Sequence, residues 1–147
     1  MRGGSLFTRG HGRLTAVLLC LCCSHPAMGD SATTELRIAI GLLRSQAAEL
    51  ERLRTEGRRA RLPERTVRGH AIQLQRAVQR SREQLDKAPT PASAEGIRAD
   101  AQAAAQQVAA LVSGLASGSS AALDAAGFQA LPTLRERLQR DEAALPH

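Results

Sequence analysis

TVRGHAIQLQRAVQRSREQLDKA, Thr66 to Ala88, is the stretch whose reading decides the fold. Val67, Ala71, Leu74, Val78, Ser81, Leu85 and Ala88 step by 4, 3, 4, 3, 4 and 3 residues. That spacing sets them on one stripe of an α-helix, with Arg, Gln and Glu on the other positions. A strand would need apolar side chains at every second residue and more β-branched ones, and no such run persists anywhere in the chain. The segment therefore predicts an amphipathic helix with a coiled-coil-like seam. Glu83 and Lys87 add an expected i,i+4 pair.

The same period continues on both sides. Upstream, Leu36, Ile40, Leu43, Ala47 and Leu50 step by 4, 3, 4 and 3, predicting a helix over about 33–56. Thr33 or Thr34 is the expected cap, and Gly57 the expected stop through a left-handed residue. The connection 57–63 is short enough to force an antiparallel hairpin with a second helix over 63–88, Pro63 sitting in its first turn. Downstream, Pro89, Thr90 and Pro91 break the chain, with Thr90 as expected N-cap of a third helix over 91–116. Its seam, Ile97, Ala101, Ala104, Val108, Leu111 and Leu115, is small-residue rich, so it permits close approach but buries less apolar area. Residues 117–120 form a flexible break, 121–126 a short helical piece, and Pro132 opens a final helix over 132–145 carrying Leu134, Leu138 and Leu145. Glu136 and Arg140 are a further expected i,i+4 pair. The fold class is all-α: an antiparallel hairpin extended to a three- or four-helix up-down bundle. The alternative is an elongated hairpin that completes its core by dimerising.

The N-terminus reads differently. Arg2, Arg9 and Arg13 precede an apolar run from Leu14 to Cys23, followed by Pro26 and then Ala27-Met28-Gly29 before Asp30. A basic start, a short apolar run and small residues at −3 and −1 predict a secretory signal peptide over 1–29, cut between Gly29 and Asp30. The run is too short for a membrane span, which needs about 20 apolar residues. Its cysteines Cys20, Cys22 and Cys23, with His25 close behind, lack the paired spacing of a zinc site and the small preceding residue of a lipid-anchor signal. They read as h-region filler that export discards.

Residues 30–147 then form a single domain whose composition excludes several chemistries. All three Cys lie in the leader, so the domain has no disulfide and no thiolate metal site. Both Met lie there too, which removes a Met/His haem site. The chain has no Asn, Trp or Tyr, hence no N-glycosylation acceptor, and Phe128 is the domain's one aromatic, too few to stack single-stranded nucleic acid. Taking the three leader arginines from the 20 basic residues leaves 17 against 14 acidic ones, a net +3 in place of +6. Lys87 is the sole lysine, and the arginine and alanine bias reads first as a G+C-rich bacterial genome.

Candidate sites are sparse. Arg54, Arg58, Arg59, Arg61, Arg65 and Arg68, with Arg52 nearby, converge on the hairpin tip. Clustered guanidinium groups suit phosphate or carboxylate, although an arginine-rich turn is more commonly a solvated face. His70 has no nucleophile or carboxylate in helical reach and reads as a boundary residue. Glu136, Asp141 and Glu142 lack the spacing of a calcium loop and read as a solvated helix face. Gly114-x-x-x-Gly118 matches a membrane dimer motif, but Gln102, Gln106 and Gln107 preclude a span there. Phe128 is the expected plug that seats the last segment. No family signature, cofactor site or catalytic set emerges. The expected protein is exported, periplasmic or secreted, and not an enzyme. It would act as an adaptor, chaperone-like or accessory part of an envelope assembly, through protein partners or self-association on its helix faces. The alternative is a polyanion binder, for lipopolysaccharide or anionic head groups, at the arginine tip.

Overall fold

The computed structural model describes residues 28–59, 62–118 and 126–146. Four α-helices account for most of them: α1 (Met28–Arg58), α2 (Glu64–Lys87), α3 (Glu95–Ala116) and α4 (Leu131–Ala144), with short 3₁₀ turns at Ala92–Ala94 and Ala126–Ala130. No strand occurs among the described residues, so the fold is all-α.

The seams form the core. Leu36, Ile40, Leu43, Ala47 and Leu50 of α1 are fully buried, and every seam position from Val67 to Ala88 is buried as well. α3 buries Ala101, Ala104, Ala105, Val108, Val112 and Leu115, and α4 buries Leu131, Leu134 and Leu138, with Leu145 just beyond its end. Removing these side chains from water is the main stabilising term, at about 25 cal/mol per Å² of apolar area.

Polar ties across the helices record their directions. From one end of α2 to the other, Arg68 Nε donates to Ala116 O (3.1 Å), Gln75 Nε2 to Ser113 Oγ (3.0 Å), and Asp86 accepts from Gln102 (2.8 Å). Partner numbers fall as α2 numbers rise, so α2 and α3 run antiparallel. α1 and α4 do the same: Arg37 Nη2 donates to Leu145 O and Pro146 O, Arg44 pairs with Glu142, and Glu51 pairs with Arg135.

The helix ends differ from expectation at several points. α1 begins at Met28 instead of Thr33, so Thr33 lies inside it and is buried. Gly29 and Asp30, the expected cleavage junction, lie in its first turn, whereas residues 1–27, including Cys20, Cys22 and Cys23, lie outside the described residues. α1 also continues through Gly57 to Arg58. Pro63 stands one residue before α2, its carbonyl accepting from the N–H groups of Thr66 (2.8 Å) and Val67 (3.1 Å). Thr90 does not cap α3; its hydroxyl donates to Ala88 O (3.0 Å), and a 3₁₀ turn delays the helix to Glu95. The left-handed residue is Gly118 (φ 78°), which ends α3. Neither Glu83–Lys87 nor Glu136–Arg140 pairs among the described residues; Glu83 accepts from Gln79 instead.

One polar contact interrupts the apolar interface of α1 and α2. Gln46 Nε2 donates to Ser81 Oγ at 2.8 Å, while Gln46 Oε1 is buried with no partner. A buried amide is costly unless bonded, so the pair disfavours every slipped register that would separate it. Ser81→Ala is expected to cost about 1–3 kcal/mol, the penalty for stranding a buried polar group. Gln46→Leu combined with Ser81→Ala should recover most of that loss. Urea unfolding midpoints of the three proteins check this, and an unchanged midpoint in Ser81→Ala would show that the contact fixes nothing.

Candidate functional site

The arginine tip lies where α1 ends and α2 begins. Arg54 and Arg58 are on the last turns of α1, Arg59 follows it, and Arg65 and Arg68 are in the first turns of α2. Arg61 lies outside the described residues. Packing divides the cluster. The Arg54 guanidinium sits over the Phe128 ring, 5.0 Å from its centroid, and so covers the aromatic from outside. Arg68 reaches across to the C-terminal carbonyls of α3, bonding Ala116 O and lying against Gly118. A cation there answers the negative end of the helix dipole. Two of the six expected anion-binding arginines thus hold the fold together.

The others leave a shallow site. Arg54, Thr55, Arg58 and Arg59 line a surface depression of about 300 Å³. Arg58 is already engaged by a neighbour, and Thr55 donates its hydroxyl to Glu51 O at 2.9 Å. Arg59 and Arg65 are exposed. The site is an open positive surface instead of a closed anion cradle.

Phe128 is buried, as its reading as a plug requires. Gly127 before it is held by close approach: a Cβ there would stand 2.9 Å from Leu111 Cδ2. Val112 of α3 is fully buried, whereas Leu111 is only partly buried.

The acidic concentration near the C-terminus is not simply a solvated face. Glu142 pairs with Arg44 of α1 at 2.9 Å, and Asp141 lies near Asp100 of α3, whose carboxylate pairs with Arg137. Sequential acids fall on opposite flanks of the Leu138–Leu145 seam, so they reach two different helices. Burial, and then the neighbouring Asp100 charge, raise the Asp141 carboxyl above its ordinary value of 3.8, against the lowering pull of Arg137 and Arg140. Glu136 remains exposed.

His70 is exposed on α2, and the Ser81 hydroxyl accepts from Gln46 inside the helix pair. Among the described residues no three His, Cys, Asp or Glu side chains gather into a set that could hold a metal ion, and no helix is long and apolar enough to cross a membrane. The residues that sequence reasoning missed are the ties of α4: Arg37, Arg44, Glu51, Asp100, Arg135 and Arg137. Their signal was present as charges flanking the seams, but their partners lie on other helices and depend on how the helices stack. Comparisons with protein-family models, curated proteins and solved structures find no match to the chain.

Asp141 carries a pH signature. A raised folded value contributes stability that is fully present below the ordinary carboxyl range and is lost as pH rises through the raised value. Asp141→Asn keeps the side chain neutral throughout. Its thermal midpoint should exceed that of the parent at neutral pH by a small margin that closes on acidification. A lower midpoint at neutral pH would mean that attraction to Arg137 and Arg140 outweighs burial.

Proposed function

We propose that this chain is an exported, non-enzymatic helical protein that acts through its surface as an adaptor, chaperone-like or accessory component of a bacterial envelope assembly. In this reading the four helices are an up-down bundle with coiled-coil-like packing. The supporting observation is on α1: Ile38 and Leu42, one turn apart, are 57% and 42% exposed although the opposite face of the same helix is fully buried. Single exposed apolar residues are ordinary, but two stacked on one helix face match the spacing by which helices dock on partners. The leader reading fits the same picture. Cutting after Gly29 would leave every α1 seam residue from Leu36 to Leu50 in place.

A second reading is favoured by the depression at Arg54, Thr55, Arg58 and Arg59. Anionic head groups or lipopolysaccharide would bind there through guanidinium contacts, weakly and with strong salt dependence. The engagement of Arg54 with Phe128 and of Arg68 with Ala116 leaves fewer cations for that role than the sequence suggested.

A photo-crosslinking amino acid at position 38, in the cell that exports the protein, tests the first reading. Discrete adducts are expected from position 38 and none from the exposed position 99 on α3. No adduct, or the same smear from both positions, would contradict it. For the second reading, Arg58→Glu with Arg59→Glu should abolish low-salt binding to anionic vesicles; unchanged binding would remove the tip from consideration.

A further inference from the structure

The large exposed hydrophobic residues among the described ones fall on two faces, Ile38 and Leu42 on α1 and Ile72 on α2. The α2 face is basic, and the α1 face carries two acids, with Lys87 of α2 beside Glu35 and Ile38 and Arg52 beside Glu49. On α1 the apolar pair lies between Glu35 and Glu49. Glu35 is exposed and bonds to nothing among the described residues, and Glu49 has only a 3.9 Å contact with Arg52. On α2, Ile72 lies between Arg65 on one side and Arg76 and Arg80 on the other, all three exposed and unpaired among the described residues. Ile72, Arg76 and Arg80 form one wall of an open groove of about 670 Å³, with Ala109 and Ser113 of α3 on the other wall. No carboxylate lines that groove among the described residues; Glu83, beyond it, is occupied by Gln79.

We propose that the occupant of this groove is a second copy of the chain, docked through the outer face of its α1. The inference rests on the surface-acting reading above and names its partner. The acids of one face and the arginines of the other match in spacing. Glu35 and Glu49 stand about 21 Å apart along α1, and Arg65 and Arg80 about 22 Å apart along α2, at 1.5 Å of rise per residue. Leu42 is midway between the two acids, and Ile72 is midway between the two arginines. Laid along the groove in either direction, α1 places Leu42 on Ile72 with a Glu–Arg pair at each end. Ile38 then rests on the apolar stem of an arginine beside Ile72. α1 against α1, by contrast, would set Glu35 and Glu49 against their own kind, a repulsive arrangement.

The contact joins two different patches, so it is heterologous. Each docked copy still presents an open groove or a free α1 face, and assembly continues into a ring or a filament instead of stopping at a dimer. The apolar contact is small and the ion pairs are exposed, so association should be weak and weakened further by salt.

Sedimentation velocity on the protein recovered from expressing cells tests this. The parent should show an average mass that rises with concentration and falls as salt is raised. Glu35→Arg with Glu49→Arg, and separately Arg65→Glu with Arg80→Glu, should each weaken association by at least about tenfold. An equal mixture of the two variants should regain it, because each reversed face then meets a reversed partner. Circular dichroism confirms that each variant is folded; if one is not, Leu42→Ser and Ile72→Ser replace the pair, each expected to dissociate the assembly. A parent that stays monomeric overturns the proposal. So does association that the α2 reversal leaves intact, or folded variants that fail to recover on mixing. Position-38 adducts to a different protein beside a monomeric parent would remove this inference alone and leave the surface-acting reading standing.

Discussion

The structure depends on α4 packing against α1 and α3. The described residues hold one aromatic side chain, Phe128, and α3 is alanine-rich, so the core has little apolar volume to spend. Leu131, Leu134, Leu138 and Leu145 supply what α1 and α3 lack, and Phe128, buried just ahead of α4, closes the end of that layer. The apolar contact is non-directional, so charged side chains fix how α4 sits. Arg37 holds the carbonyls beyond its last turn, while Arg44–Glu142, Glu51–Arg135 and Asp100–Arg137 hold its flanks. Exposed ion pairs contribute only about 0.2–1 kcal/mol each, so their role is orientation more than stability.

That division of labour shapes the surface. Arg54 over Phe128 and Arg68 at the end of α3 are engaged within the fold. Positive charge that remains available sits on α2 at Arg65, Arg76 and Arg80, and the apolar residues left uncovered on α1 lie between carboxylates. Exposed acids thus lie near the uncovered apolar residues of α1, and exposed arginines near Ile72 on α2.

Much of the fold was legible in the chain because burial follows a period. Every seam residue read from the 4-and-3 spacing of α1 and α2 is buried, including Ser81. Helix ends were less legible. Thr33, Gly57 and Thr90 each have the right chemistry to start or stop a helix, but a helix ends where packing ends, and α1 continues past two of them. On α3 the regular spacing pointed to Leu111, yet Val112 is the fully buried residue. The candidate site was legible as composition only. Seven arginines near one tip can be counted in the sequence, but which of them face inward depends on Phe128 and Ala116, more than 40 residues away.

Native-state hydrogen exchange tests most directly whether α4 is part of one cooperative core. The amides of Leu134 and Leu138 should open with the same free energy as those of Leu43 and Leu50, because losing α4 exposes the seams of α1 and α3 together. Exchange from α4 at a far smaller free energy, with α1 to α3 still protected, would mean that the three helices stand without it.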